Sequence, residues 1–161
     1  MNTKFLTKAS LIAAIYIILV LIQIPMGSLA FGPIQLRIAE GLTLLPFIEA
    51  AAIPGLFVGC LVSNIILAAY SSFGLVDIIG GSLVTLVAAY LTRKMPNRFM
   101  AALPPIILNG LIVSIWVSYF TKVPYMITVL GIAGGEIASI GIFGFTMLSA
   151  YEKTKLYLEK R

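Results

Sequence analysis

Six apolar segments follow one another along the chain, and short runs rich in proline, glycine and polar residues separate them. A transmembrane helix needs about 20 mainly apolar residues to cross about 30 Å of hydrocarbon. The pattern predicts an all-α integral membrane protein with six transmembrane helices in one bundle, which form a single domain over residues 1–161. The segments lie near residues 9–25, 38–52, 54–70, 75–92, 101–120 and 125–150.

The second segment fits this pattern least well, because it is short and contains Glu40, Pro46 and Glu49. Irregular or broken helices are tolerated at membrane depth only where protein surrounds them or where they line a cavity. A re-entrant or strongly tilted helix is therefore an alternative for residues 38–52.

Composition supports the membrane assignment. Hydrophobic residues make up 60% of the chain and charged residues 11%, and the mean hydropathy is +1.07. Soluble domains contain about a quarter charged residues. The net charge of +5 does not indicate a nucleic-acid partner, because the basic residues flank the apolar segments, where they determine orientation.

The distribution of basic residues predicts the orientation. With six spans and both termini in the cytoplasm, only Arg37 and Lys122 of the 11 basic residues lie outside. Such a bias follows the positive-inside rule. The basic residues predicted to lie inside are Lys4, Lys8, Arg93, Lys94, Arg98, Lys153, Lys155, Lys160 and Arg161.

The chain contains no recognisable catalytic constellation. It has no histidine, and the pair Gly80-Gly81 lacks the lysine and the preceding strand of a nucleotide-binding loop. Its one cysteine, Cys60, lies in an apolar segment and is interpreted as a packing residue. We predict no enzyme activity, no metal site and no cofactor. Because the chain has no nucleotide-binding loop, it cannot hydrolyse ATP alone, and active transport would need an ion gradient or a separate motor.

Polar side chains within the apolar segments are the candidates for a ligand site, because burying a charge in a membrane is costly. Arg37 and Glu40 lie three residues apart, where they form either part of a ligand site or only an i,i+3 ion pair. Glu136 lies well inside the last segment without a cation close by on its own helix. The predicted ligand-binding residues are Arg37, Glu40, Asn64, Asp77, Asn109, Trp116 and Glu136.

Three of these residues have purely structural alternatives. Asp77 could cap the fourth helix, and Asn109 could bond to another helix. Trp116 could belong to an interfacial aromatic belt instead of stacking on a flat ligand. If the candidates share one cavity, its carboxylates outnumber Arg37. Such a cavity would favour a cation or a molecule rich in hydrogen-bond donors over a phosphate or a carboxylate.

Three stretches of the chain resemble the QueT family: residues 31–47 (FGPIQLRIAEGLTLLPF), 52–60 (AIPGLFVGC) and 77–83 (DIIGGSL). Members of this family are substrate-binding S components of energy-coupling factor (ECF) transporters, linked to uptake of the queuosine precursor preQ1, 7-aminomethyl-7-deazaguanine. The resemblance implies a six-helix bundle in a prokaryotic plasma membrane that binds its substrate outside. With a transmembrane coupling subunit and two ATPases, it would topple in the membrane and release the substrate inside.

The first helix contains a further similarity, the pair Ala9-x-x-x-Ala13. It looks like the motif through which S components dock on the coupling subunit, and small residues at this spacing let helices approach closely. Two alternatives remain open at this point. The chain could be an S component for another vitamin-like cation, or a structural or assembly membrane protein in which Arg37 and Glu40 only stabilise a helix start.

Overall fold

The computed structural model describes residues 3–27, 29 and 32–159. These residues form six helical segments and no β-strand, in agreement with the predicted all-α class. The third, fourth and fifth helices agree with their predicted segments to within three residues at each end. The first helix begins at residue 3 and not 9, the second ends at residue 47 and not 52, and the last continues to residue 157 and not 150. The helices are α1 (Thr3–Met26), α2 (Ile38–Phe47), α3 (Ala52–Leu67), α4 (Val76–Arg93), α5 (Arg98–Thr121) and α6 (Tyr125–Tyr157).

Four of these helices are long and apolar enough to cross a membrane within the described part of the chain: α1, α4, α5 and α6. α3 has 16 residues and α2 has 10. α2 is a 3₁₀ helix, and at about 2.0 Å per residue it spans roughly 20 Å, less than the hydrocarbon thickness. The chain is therefore a multi-pass membrane protein in which α2 and α3 are shorter than ordinary transmembrane helices.

The core of the bundle contains α2. Every residue from 39 to 46 is buried, including the polar Glu40 and Thr43. At Gly41, a β-carbon would lie 2.8 Å from the Phe143 β-carbon, so α2 and α6 touch closely there. At its far end, the Arg93 guanidinium donates to the carbonyl oxygens of Pro46 and Phe47. These contacts place Arg37 and Glu40, at the start of α2, in the middle of the protein.

Small residues bring α1 and α3 together, as their spacing predicts. A β-carbon at Gly55 would lie 2.8 Å from the Ala9 carbonyl oxygen, and one at Gly59 would lie 2.9 Å from the Tyr16 β-carbon. Ala9 and Ala13 are 8% and 6% exposed. The pair predicted as a docking motif therefore also forms part of the packing within the chain.

An ionic cluster ties together the start of α1, the turn after α2 and the end of α6. The Glu49 carboxylate accepts hydrogen bonds from the Lys8 ammonium at 2.5 Å and from the Tyr151 hydroxyl at 2.6 Å. Burial alone would raise the pKa of Glu49, but these two donors and the Ala51 N–H lower it to about 2. Lys8 near the start of α1 and Tyr151 near the end of α6 both contact Glu49, so they lie at the same end of the bundle. The chain therefore crosses the bundle an even number of times from Lys8 to Tyr151. The cytoplasmic side stays a prediction, and Lys160 and Arg161 lie outside the described residues.

Candidate ligand-binding site

Wide helical turns place two of the predicted residues in the centre of the bundle. α4 begins with π-helical residues Val76–Gly81, and α5 contains another such turn at Asn109–Val113. π-turns inside α-helices often occur at functional sites. Asp77 and Asn109 lie in these two turns.

The predicted polar residues meet around one enclosed cavity. All of the predicted ligand-binding residues except Trp116 line it. The enclosed volume is about 10 Å³, close to the space that one water molecule needs. A larger ligand therefore enters only if the lining side chains move apart. The lining consists of Gln35, Arg37, Glu40, Cys60, Asn64, Asp77, Gly81, Thr85, Asn109, Val113 and Glu136.

Arg37 and Glu40 form the predicted i,i+3 ion pair, and Tyr16 joins it. The Arg37 Nε lies 3.7 Å from Glu40 Oε1. The Tyr16 hydroxyl donates to the same oxygen at 2.6 Å and accepts from Arg37 Nη2 at 3.4 Å. Both groups approach Oε1, and the other carboxylate oxygen of Glu40 has no hydrogen-bond partner in the described part of the chain.

Asn109 and Glu136 bond to each other from two facing helices. The Asn109 Nδ2 donates to Glu136 Oε1 at 2.6 Å, and both residues are buried. A hydrogen bond to another helix was the structural alternative that the sequence left open for Asn109, and this bond is present. The bond also supports Glu136, which lies on α6 far from the charged end of that helix. Both side chains also line the cavity, and their role in ligand binding stays a prediction.

Asp77 does not cap α4, because the helix start has no side-chain cap. Its Oδ1 instead accepts from the Trp116 indole N–H at 3.0 Å. Trp116 is only 9% exposed and packs in a buried apolar cluster, so it does not lie on the outer surface of the bundle. Asn64 completes this side of the cavity, since its Nδ2 donates to the Asp77 carbonyl oxygen at 2.9 Å.

A non-helical segment, residues 32–37, carries Gln35 and Arg37 into the site. Gln23 holds its end, because its side chain donates to the Leu36 carbonyl at 2.7 Å and accepts from the Ile38 N–H at 2.6 Å. The segment lies directly on α6, where a β-carbon at Gly135 would be 1.3 Å from the Gln35 carbonyl oxygen. Gly131 and Gly135, one turn apart on α6, therefore leave room for this segment: a β-carbon at Gly131 would likewise lie 2.3 Å from the Pro33 carbonyl oxygen. Phe31 lies outside the described residues.

Six residues at the site escaped the sequence interpretation. Tyr16 contacts the Arg37–Glu40 pair, and the other five line the cavity: Gln35, Cys60, Gly81, Thr85 and Val113. Cys60 packs in the apolar core as expected, but its Sγ also accepts from Asn64 Nδ2 at 3.5 Å and from Thr85 Oγ1 at 3.4 Å. The position of Tyr16 in the sequence could have indicated its role. It lies on the α1 face of Ala9 and Ala13, and a buried tyrosine hydroxyl requires a partner.

Fold and site together define a class: a multi-pass helical membrane protein with a buried, mainly acidic cavity. The family model of the QueT transporter matches residues 6–153. The chain therefore belongs to the QueT transporter family.

A curated relative agrees with this family. The chain is 28% identical, over 163 aligned positions covering 91% of each protein, to the queuosine precursor transporter QueT of Lactococcus lactis subsp. cremoris (strain MG1363). No solved structure matches the chain. The geometry of the site therefore rests on the contacts described above.

Proposed function

We propose that this protein is the substrate-binding S component of an ECF-type importer and that it binds preQ1 in the cavity beside Arg37 and Glu40. The observation that carries the proposal is the composition of that cavity. Three carboxylates and one guanidinium line a closed space in a chain of the QueT transporter family. The relative's name, queuosine precursor transporter, agrees with a ligand of this class.

The charge of the cavity suits the aminomethyl group of preQ1. The lining contains three carboxyl groups and one guanidinium, so acidic groups outnumber basic ones. A protonated amine reduces this imbalance, whereas a phosphate or carboxylate ligand would increase it. Buried charges of one sign are tolerated only when a partner compensates them.

The ring of preQ1 matches the polar groups as well. Its guanine-like edge offers N–H donors, which carboxylate oxygens accept, and its ring carbonyl accepts from the guanidinium of Arg37. The deaza position removes one ring acceptor that would otherwise face the acidic lining. Asp77 is the least enclosed of the three acids and is the candidate to accept from the guanine-like edge, which leaves Glu40 and Glu136 to face the ammonium arm.

The orientation of the protein follows from its basic residues. Lys8 lies in the Glu49 cluster, and Arg93 contacts the end of α2 beside that cluster. By the positive-inside rule this end is cytoplasmic. The segment that carries Arg37 then lies toward the outer side, from which substrate would enter, in the plasma membrane of a prokaryote.

A groove on the outside of the bundle supports docking of the coupling subunit. It lies between α1 and α3, measures about 260 Å³ and has an apolar lining that includes Ala9 and Ala13. Ser10 lies in the same groove and is exposed. The small side chains would let a helix of the coupling subunit approach closely, and two ATPases bound to that subunit would supply the energy.

Ser10→Trp tests this docking surface with less damage to the packing of α1 on α3 than replacement of Ala9 or Ala13. The indole should fill the groove and greatly reduce co-purification with the coupling subunit and ATP-driven uptake into vesicles. The preQ1 affinity of the isolated subunit should stay within about twofold, because surface substitutions remote from a site usually change little.

The matched control for Ser10→Trp is Leu11→Trp. Leu11 is 60% exposed and points about 100° further round α1, away from the groove. It should assemble and transport like wild type. Normal assembly of Ser10→Trp would show that the groove is not the docking surface.

Exchange of the ion pair, Arg37→Glu with Glu40→Arg, separates a structural role from a binding role. A pair that only stabilises the helix start would tolerate the exchange. We expect preQ1 binding to disappear, because an arginine at position 40 cannot accept the Tyr16 hydroxyl hydrogen or a ligand N–H. Calorimetric titration and thermal unfolding of the purified variant measure both effects, and retained affinity would assign the pair to structure alone.

The proposed function itself is tested by titrating the purified wild-type protein with preQ1, thiamine and guanine in a calorimeter. Tight binding of preQ1 with weaker binding of the others is expected. Preferential binding of thiamine would favour an S component for another cation, and no binding of any ligand would favour a structural role. Uptake of preQ1 into vesicles without an ATPase partner would contradict the ECF mechanism.

A further inference from the structure

Three residues that line the cavity each have a side-chain acceptor with no hydrogen-bond partner among the described residues. In the described part of the chain, the buried side-chain atoms without a hydrogen bond are Glu40 Oε2, Asn64 Oδ1, Glu136 Oε2 and three serine hydroxyl oxygens. The first three belong to residues that line the cavity, and these residues are 2%, 2% and 6% exposed. Buried polar atoms are normally paired, so three unpaired acceptors facing one space indicate a ligand that supplies the donors.

Neighbouring side chains determine which atom of each group faces the cavity. The Tyr16 hydroxyl occupies Glu40 Oε1, and the Asn109 amide occupies Glu136 Oε1. The hydrogen bond to the Asp77 carbonyl oxygen fixes the orientation of the Asn64 amide, because only Nδ2 of this amide can donate. Each group therefore presents a single acceptor to the cavity. Tyr16 and Asn109 act as positioning residues for the two glutamates.

Resting on the proposed function, we infer that Glu40 Oε2, Asn64 Oδ1 and Glu136 Oε2 form an acceptor triad that selects ligands by their N–H donors. The triad favours the aminomethyl compound preQ1 over its nitrile analogue preQ0. The two ligands share the same deazaguanine ring and differ in the side arm, where preQ1 carries N–H donors and preQ0 carries only an acceptor. An acceptor placed against acceptors is repelled, and such a repulsive element gives specificity.

Glu40→Gln and Glu136→Gln invert one member of the triad each. A glutamine at either position can keep its oxygen on the existing donor, Tyr16 or Asn109, and then directs an NH₂ group into the cavity in place of Oε2. The shape of the side chain is almost unchanged. The substitution thus converts a free acceptor into a free donor while the positioning hydrogen bond stays in place.

The experiment is a calorimetric titration of wild type and both variants with preQ1 and with preQ0. Wild type should bind preQ1 at least about tenfold more tightly than preQ0, a difference of the size that one charged hydrogen bond supplies. The variant whose glutamate faces the side arm should bind preQ1 more weakly and preQ0 more tightly than wild type. A gain of affinity for one ligand cannot result from general damage to the fold.

Tyr16→Phe provides a second measurement that does not alter the triad itself. Removal of the hydroxyl frees Glu40 to rotate, so the preference for preQ1 should shrink although the carboxylate remains. Thermal unfolding of each variant identifies any that fail to fold, and the remaining variants then decide the result.

The outcomes separate this inference from the proposed function. If wild type binds preQ1 and preQ0 equally well, or if both glutamine variants weaken the two ligands by the same factor, the triad is overturned and the proposed function stands. If wild type binds neither ligand, the proposed function falls, and the triad falls with it as an explanation of preQ1 selectivity.

Discussion

Gly135→Ala should weaken preQ1 binding by at least about tenfold and lower the thermal unfolding temperature, whereas Gly134→Ala should leave both nearly unchanged. A β-carbon at position 135 would lie 1.3 Å from the Gln35 carbonyl oxygen and 2.5 Å from its carbonyl carbon. Backbone atoms cannot yield as a flexible side chain does, so the segment that carries Gln35 and Arg37 has to shift. Small displacements of groups that position a ligand are costly to recognition.

Gly134 is the matched control for this substitution, because it precedes Gly135 on α6 and a β-carbon there would have no heavy atom within 4 Å. Both changes exchange glycine for a better helix former, worth up to about 1 kcal/mol of stability, so this contribution cancels between them. The measurements are calorimetric titration with preQ1 and thermal unfolding in detergent. Equal behaviour of the two variants would contradict the tight contact between α6 and residues 32–37.

The second large effect is expected from the two acids that α4 and α6 contribute. Glu136→Gln and Asp77→Asn should each reduce preQ1 affinity by about tenfold or more, because loss of one charged partner from a desolvated pair costs on the order of 2 kcal/mol or more. Both variants should fold, since the new amides can still accept the hydrogen bonds from Asn109 and Trp116.

Glu152→Gln is the control for these two substitutions, because this residue lies near the end of α6, outside the cavity lining. Its affinity for preQ1 should equal that of wild type. If Glu136→Gln and Asp77→Asn also bind like wild type in the same titration, the acidic cavity does not recognise the ligand.

Much of the candidate site could be predicted from the chain because membrane proteins make polar residues conspicuous. Arg37, Glu40 and Glu136 stood out as charges in apolar segments, and they do meet at one cavity. Depth and charge are properties of individual positions, so they are readable one residue at a time. The limits of α3, α4 and α5 followed from the same contrast, whereas α2 ends at Phe47, before the predicted residue 52, and α1 and α6 extend beyond their predicted segments.

The sequence by itself determined the helical class, the approximate limits of the six segments and the acidic character of the polar set, since each depends on local hydrophobicity. Only the tertiary structure decided which polar atoms have a hydrogen-bond partner within the protein and which do not. Tyr16 bonds to Glu40 across 24 positions in the sequence, and Asn109 bonds to Glu136 across 27. Gly135 packs against the backbone of Gln35, which is still further away in the sequence. Such pairings depend on how α1, α2, α5 and α6 pack, and packing between distant segments has no periodic signature in the chain.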